Sequence, residues 1–191
     1  FYDRVITDYF GPDGRFHGAI YRPVQYDMSD NREEAQQLNM FTFIRGLFVR
    51  RFESSFGAFA KSLEHAIAMH ERVRDFARDT GTFLVNRTLM EKILETDDDR
   101  EQEDLLERTI EQLRKCDSTG HPQVYKLDDP QFDKERFFRD LASDIKLLKQ
   151  TQAEMRELSL LMHDPKAQSI IDIIRSVLDH SCKEIAGKHQ R

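Results

Sequence analysis

The chain has 191 residues, of which 39% are hydrophobic and 34% are charged, and this balance predicts one folded domain rather than a disordered tail. Its net charge of −6 excludes binding to nucleic acid through overall positive charge. The two cysteines, Cys116 and Cys182, are too few for a disulfide framework, and no apolar run approaches the ~20 residues of a membrane span, so we expect a cytoplasmic protein without membrane contact.

The first thirty residues are rich in turn-forming residues. Pro12, Asp13 and Gly14 predict a turn, because proline fixes φ and glycine tolerates positive φ. We predict a short helix over residues 2–9, then this turn, and then an extended segment or edge strand over residues 16–26.

A helical pattern begins near residue 31 and continues for about forty residues. The apolar residues that recur at spacings of three and four are Leu38, Phe41, Ile44, Phe48, Phe52, Phe56, Phe59, Leu63, Ile67, Val73 and Phe76. The pattern predicts one continuous helix, which at 1.5 Å per residue would be roughly 65 Å long and would project or span two bodies. Residues 79–81 are expected to end it.

Two shorter helices are predicted next, one over residues 83–95 and one after an acidic run at residues 97–104. The acidic run has two interpretations. It can be an exposed helix start or a loop, or it can be a site for a cation or a basic partner. Its carboxylates lack the glycine turn and the spacing of a calcium-binding EF-hand loop.

A fourth helix is expected to begin with Asp128 or Asp129 as its cap and Pro130 in its first turn, and to run for about thirty residues. The residues of its predicted apolar face are Phe137, Leu141, Ile145, Leu148, Met155, Leu158 and Met162. Asp164 and Pro165 together indicate the start of a fifth helix.

These elements predict a mainly α fold in which long antiparallel helices form a bundle or a protrusion after a short extended N-terminal segment. We divide the chain into a connector at residues 1–30, a long-helix bundle at 31–163 with an acidic insertion at 96–128, and a helix at 164–191. Both ends interrupt folded-looking patterns, so we expect a piece of a longer protein.

The motifs of a self-contained enzyme are missing from the sequence. It has no phosphate-binding loop of the form GxxxxGK(S/T), no GxGxxG, no HExxH and no nucleophile elbow. His65 and His70 lie five positions apart, about 140° around a helix, so they do not share a metal ion. His70 falls on the apolar stripe and is expected to be partly buried, with its hydrogen bonds satisfied. We therefore expect neither a catalytic residue nor a metal site.

Residues 41–78 differ in charge from the rest of the chain, with seven basic and four acidic side chains. Arg45 lies within about 20° of Phe52 around the helix, inside the apolar stripe. An arginine there requires a carboxylate partner or a groove between bodies. Ser55 lies at the edge of the stripe, where a small side chain permits close approach of another element.

Residues 47–59 read LFVRRFESSFGAF. This string resembles the (K/R)R(F/L)ESS…AF…(S/T)L signature of bacterial SWI/SNF-type, helicase-like ATPases of superfamily two, and residues 61–63 continue it. Upstream, residues 10–21 resemble the segment that precedes the signature. Downstream, residues 164–166 resemble the D-x-K start of a helix that leads into the second lobe of these proteins. The resemblance is weakest over residues 85–130.

The resemblance implies a parent protein with two RecA-like lobes that bind ATP, Mg²⁺ and duplex DNA, and that hydrolyses ATP. This chain would be the helical segment between the lobes, with no ATP site, cofactor or small-molecule substrate of its own. Its partners would be those lobes and, through the parent, DNA. Asp164 and Lys166 would begin the helix toward the following lobe. The candidate coupling or contact residues are Arg45, Arg50, Arg51, Glu53, Ser54 and Ser55.

Two alternatives remain open. The heptad regularity of the long helix also permits a stand-alone interaction module that dimerises as a coiled coil. A third possibility is an enzyme built on a helical bundle.

Overall fold

The computed structural model describes residues 1–28, 34–84, 124–160 and 168–175. The long helices are α1 (Glu34–Ser54), α2 (Phe56–Thr80) and α3 (Lys134–Glu157). The short elements are a π-helical turn (Arg4–Tyr9), a 3₁₀ turn (Pro23–Tyr26), strands β1 (Thr82–Leu84) and β2 (Val124–Lys126), and α4 (168–175). The predicted mainly α fold is confirmed.

The predicted continuous helix is wrong, because it breaks at Ser55. This residue has extended backbone angles, φ −161° and ψ 137°, between the end of α1 and the start of α2. Its Oγ accepts hydrogen bonds from the backbone N–H of Gly57 at 3.1 Å and of Ala58 at 3.4 Å. The first N–H groups of a helix have no partner within it, so the hydroxyl caps α2.

After this break, α2 folds back along α1. Phe16 of the N-terminal segment lies with its ring centre 6.1 Å from Phe41 of α1 and 5.9 Å from His70 of α2, so Phe41 and His70 lie within about 12 Å of each other. In a continuous helix, the same two residues would be about 43 Å apart. The two helices therefore form a hairpin, with the apolar stripe of each inside.

Helix α3 packs against α2 and begins later than predicted. Asp133 is its cap, in place of Asp128 or Asp129, because its Oδ1 accepts a hydrogen bond from the backbone N–H of Arg136 at 3.0 Å. The residues of the predicted apolar face that are buried are Phe137, Leu141, Ile145, Leu148 and Met155. Leu158 is 50% exposed, since α3 has already ended at Glu157.

The predicted helix at residues 83–95 is wrong at its start. Gly81, with φ +66°, ends α2 at the predicted position, and Thr82–Leu84 then forms β1. Strand β1 pairs antiparallel with β2, and Phe83 lies opposite Tyr125, both of them buried. The remainder of that predicted helix, the acidic run and the third predicted helix lie outside the described residues.

The N-terminal segment is folded against the helices. Its predicted short helix forms, but the predicted edge strand does not, and Pro23–Tyr26 makes a 3₁₀ turn instead. Gly18 has φ +66°, and a Cβ there would overlap the Phe41 ring, so this position requires glycine. The close approach of Gly18 brings Phe16 into the core, where it is buried.

Among the described residues, no helix is both long and apolar enough to cross a membrane. Helix α4 is exposed over its whole described length.

Replacing Ser55 by alanine tests the helix break. We expect Ser55→Ala to lower the free energy of unfolding by about 1 kcal/mol, because two N–H groups at the start of α2 lose their acceptor. The matched control is Ser54→Ala at the exposed end of α1, which is expected to change it by less than about 0.5 kcal/mol. Urea denaturation measures both. Equal effects of the two substitutions would contradict the cap.

Candidate functional site

Residues 51–55, the RFESS string, occupy the corner of the α1–α2 hairpin. Arg50, Glu53 and Ser54 are exposed there, whereas Phe52 of the same string is buried. The Tyr2 hydroxyl donates a hydrogen bond to Glu53 Oε1 at 3.1 Å, which joins the corner to the first residues of the chain. The string therefore combines a polar outer surface with an apolar inner one.

Arg50, which precedes the RFESS string, and Arg51, its first residue, have different surroundings. The Arg50 guanidinium lies 5.6 Å from the centre of the Phe43 ring and is exposed to solvent. Arg51 is half-buried. Two consecutive residues beside the corner thus carry guanidinium groups. The charge of Arg50 is the more accessible to solvent.

Arg45 is bound by backbone carbonyl oxygens, whereas the sequence predicted either a carboxylate partner or a position in a groove between bodies. Its Nη1 donates hydrogen bonds to the carbonyl oxygens of Gly11 at 2.8 Å and Pro12 at 2.6 Å, and its guanidinium lies over the Phe41 ring at 4.6 Å. Burial lowers the pKa of Arg45, and the negative charge of Asp13 partly opposes this. Arg45 therefore fastens the predicted turn to α1.

The sequence assigned Ser55 to close packing, and the structure shows it as the cap of α2. Arg45 to Ser54 span nine helical steps, so the α1 candidates lie along about 14 Å of one helix. Asp164 and Lys166 lie outside the described residues.

The sequence analysis missed a buried carboxylate on α3. Asp144 is fully buried, and its Oδ1 accepts a hydrogen bond from the backbone N–H of His17 at 2.7 Å, while its Oδ2 accepts one from that of Ala19 at 2.9 Å. Asp144 follows Phe137 by seven residues, on the predicted apolar face of the helix. Asp144 is thus a charged residue within an apolar stripe, as Arg45 is on α1, and the same helical spacing identifies it.

Burial sets the protonation of Asp144. It raises the pKa of this carboxyl to about 7, although the backbone N–H groups of His17 and Ala19 stabilise the charged form. Asp140, one turn earlier, adds its negative charge to the same effect and accepts a hydrogen bond from the Tyr26 hydroxyl at 3.1 Å. Two carboxyl groups thus face the N-terminal segment from α3.

His70 of α2 contacts the same segment, with its ring centre 5.9 Å from that of Phe16 and 5.5 Å from that of Tyr21. It is fully buried, beyond the partial burial predicted from its place on the stripe. Its Nδ1 lies 2.6 Å from the carbonyl oxygen of Ala66 and donates to it, while its Nε2 has no hydrogen-bond partner within the described part of the chain. Burial lowers the pKa of His70 to about 4, so the ring is neutral at pH 7. Across the described ranges, no three His, Cys, Asp or Glu side chains converge to hold a metal ion.

Comparison with known proteins gives no relative: no protein-family model, no curated protein and no solved structure matches this chain. The similarity of residues 47–59 to a helicase-like signature therefore stays a similarity between short strings. In the described part of the chain, that string lies at an exposed corner between two helices.

Arg45→Leu tests whether Arg45 is bound within this chain. We expect it to lower the free energy of unfolding by about 1–2 kcal/mol, because two backbone carbonyls lose a charged donor. Arg50→Leu is the matched control, on an exposed position of the same helix, and is expected to change stability by less than about 0.5 kcal/mol. Thermal and urea unfolding measure the difference. A neutral or stabilising Arg45→Leu would contradict the internal contact.

Asp144 and His70 make opposing contributions to the pH dependence of stability. The carboxyl binds its proton more tightly in the folded state, with a pKa of about 7 against an ordinary 3.8, so it makes stability fall as pH rises between them. The imidazole has a folded pKa of about 4 against 6.5, so it makes stability rise with pH across nearly the same window.

When either Asp144 or His70 is replaced, the pH dependence of the free energy of unfolding should show the contribution of the group that remains. Asp144→Asn should make the free energy of unfolding rise with pH between about 4 and 6.5, by up to about 1.4 kcal/mol per unit more steeply than in the unmodified protein. His70→Leu should change the slope in the opposite direction. Urea titrations across this window measure both slopes, and curves parallel to that of the unmodified protein would contradict the assignment.

Proposed function

We propose that this chain is the helical segment between the two RecA-like lobes of a bacterial SWI/SNF-type, DNA-dependent ATPase. In this role it couples movement of the lobes to translocation on DNA, while ATP and Mg²⁺ bind to the lobes. The observation that carries the proposal is the RFESS string at the exposed corner of the α1–α2 hairpin, since its polar residues are accessible to another body.

The construction of the corner supports a coupling role. Ser55 connects α1 to α2 directly, without a flexible linker, and its hydroxyl caps the second helix. Phe52 on one side and Phe59 on the other lie in ring contact, with centroids 5.0 Å apart, and both are buried. A displacement applied at a corner held in this way would move both helices together.

The charge of the hairpin supports contact with an acidic body or with DNA phosphates. Residues 41–78 carry a net charge of +3 in a chain whose net charge is −6. Arg50, Arg72 and Arg78 are exposed on these two helices. A local positive surface of this kind binds phosphate groups even when the whole protein is acidic.

Helix α4 supports the presence of a further body. Four isoleucines on it are between 43% and 61% exposed: Ile170, Ile171, Ile173 and Ile174. Adjacent apolar side chains of this size are costly to leave in water. In the proposal, Asp164 and Lys166 begin this helix, and the following lobe covers its isoleucines.

The coiled-coil alternative has less support. Phe41, Ile44 and Phe48 form the stripe that would meet a partner helix, and all three are buried within this chain. A dimer through this stripe would require α1 to leave the N-terminal segment and α2.

The gene around this chain provides the first test. We expect a phosphate-binding loop and a DEAH-like box upstream, and an arginine-rich motif downstream, because the lobes must supply both halves of an ATP site. DNA sequencing outward from both ends of the coding segment shows whether these motifs are present. Flanks without these motifs would refute the proposal.

The second test uses the parent protein with Arg50→Ala and Arg51→Ala combined. We expect the number of base pairs moved per ATP hydrolysed to fall about tenfold, because ATP would still be hydrolysed in the lobes while their movement would no longer be transmitted through the corner. Lys146→Ala, on the exposed face of α3, is the control and should leave this ratio unchanged. Parallel ATPase and DNA-translocation assays give the ratio, and an unchanged ratio in the double variant would exclude the assigned residues.

A further inference from the structure

A groove of about 440 Å³ lies between the N-terminal segment and the outer face of α1. Its walls include the apolar side chains of Ile6, Phe10 and Val49, and Arg45 and Arg50 also line it. This volume falls in the range of sites that bind a small molecule or a bulky side chain.

Gly46 lines the groove from the interior of α1. A glycine there weakens a helix relative to alanine, because it loses more backbone freedom on folding. A Cβ added at Gly46 would meet no atom within 4 Å, whereas one added at Gly18 would overlap the Phe41 ring. Packing within the described part of the chain therefore does not require glycine at position 46. Its missing side chain leaves the groove open.

The charged groups of the groove are all positive. No acidic side chain is among the described residues that line it. Arg50 is exposed and forms no ion pair with the described parts of the chain, and its guanidinium only approaches the Phe43 ring. Arg45 has a buried Nε for which those same parts supply no hydrogen-bond acceptor. The groove thus combines apolar walls with two guanidinium groups, one of which is accessible to an anion.

We propose that this groove is a docking site for a polypeptide segment that presents a bulky apolar side chain next to a carboxylate. The apolar side chain occupies the space above Gly46, and the carboxylate pairs with Arg50 at the rim. Arginine suits this role because its planar guanidinium can bind a carboxylate through two parallel hydrogen bonds. Nucleic acid fits less well, since a nucleic-acid backbone is bound through several phosphate contacts, whereas Ile6, Phe10 and Val49 make much of this groove apolar. The inference does not depend on the ATPase proposal, because any partner with this chemistry fits.

The first experiment titrates the isotope-labelled protein with short blocked peptides and follows backbone amide signals by NMR. The probe is the tripeptide Glu-Phe-Glu, and the controls are Lys-Phe-Lys, Glu-Ala-Glu and a short DNA duplex. We expect Glu-Phe-Glu to shift the signals of Thr42, Gly46 and Arg50 at millimolar concentration, with at least about tenfold weaker binding of each control. No shift with Glu-Phe-Glu, or a stronger response to DNA at the same residues, would overturn the proposal.

Variants at Gly46 separate docking from folding. Gly46→Ala is expected to raise Tm by about 2–4 °C, because alanine favours the helix and its Cβ meets open space. Gly46→Leu is expected to remain folded, because its side chain extends into the groove, and to weaken Glu-Phe-Glu binding at least about tenfold. Loss of binding without loss of stability assigns the groove to a ligand. A Gly46→Leu protein that binds the peptide unchanged would contradict the proposal, as would a lower Tm in Gly46→Ala.

Charge variants test the anion. Arg50→Gln should weaken Glu-Phe-Glu binding about fivefold to tenfold, because the peptide carboxylate loses its guanidinium partner. Arg72→Gln, on the exposed face of α2, is the matched control and should have no effect. Equal effects of the two substitutions would show general attraction between charges and exclude a specific carboxylate site.

Discussion

The fold depends on the bonds between the buried Asp144 carboxylate and the N-terminal segment. Both carboxylate oxygens accept backbone N–H groups, from His17 and from Ala19, at a place without regular secondary structure. They hold Phe16 between the two arms of the helical hairpin, in ring contact with each. A polar group buried on an apolar face requires such hydrogen-bond partners, so the segment and α3 stabilise one another.

On α1, too, polar side chains bind the backbone of the N-terminal segment. The N-terminal segment bonds part of its backbone to itself, for example Phe16 N–H to the Tyr9 carbonyl oxygen at 3.0 Å. The buried backbone groups that remain must be satisfied from elsewhere. Arg45 supplies donors to the carbonyl oxygens of Gly11 and Pro12, and Gln37 accepts from the N–H of Val24 at 2.9 Å. Three of the polar residues on the helices, Gln37, Arg45 and Asp144, therefore fasten an irregular segment to regular helices.

The proposed functions involve surfaces that the packing of the N-terminal segment on the helices leaves exposed. The segment covers the inner face of α1 but leaves a groove along its outer face, and Arg50 belongs to both that groove and the RFESS corner. A body that docks in the groove would therefore lie beside the corner. Helix α4 presents its isoleucines as a separate apolar surface. The described residues thus offer one surface that combines arginines with apolar walls, and another that is apolar.

The sequence by itself determined the helical class and most of the buried faces, because the 3.6-residue period records which side of each helix leaves water. It placed Arg45 correctly on an apolar stripe and could not name its partners, since backbone carbonyls carry no sequence signal. Only the tertiary structure decided that the stripe turns back at Ser55, because the apolar period continues unchanged across a cap. It also decided that Thr82–Leu84 is a strand, since a short apolar run becomes β only by pairing with the distant Val124–Lys126.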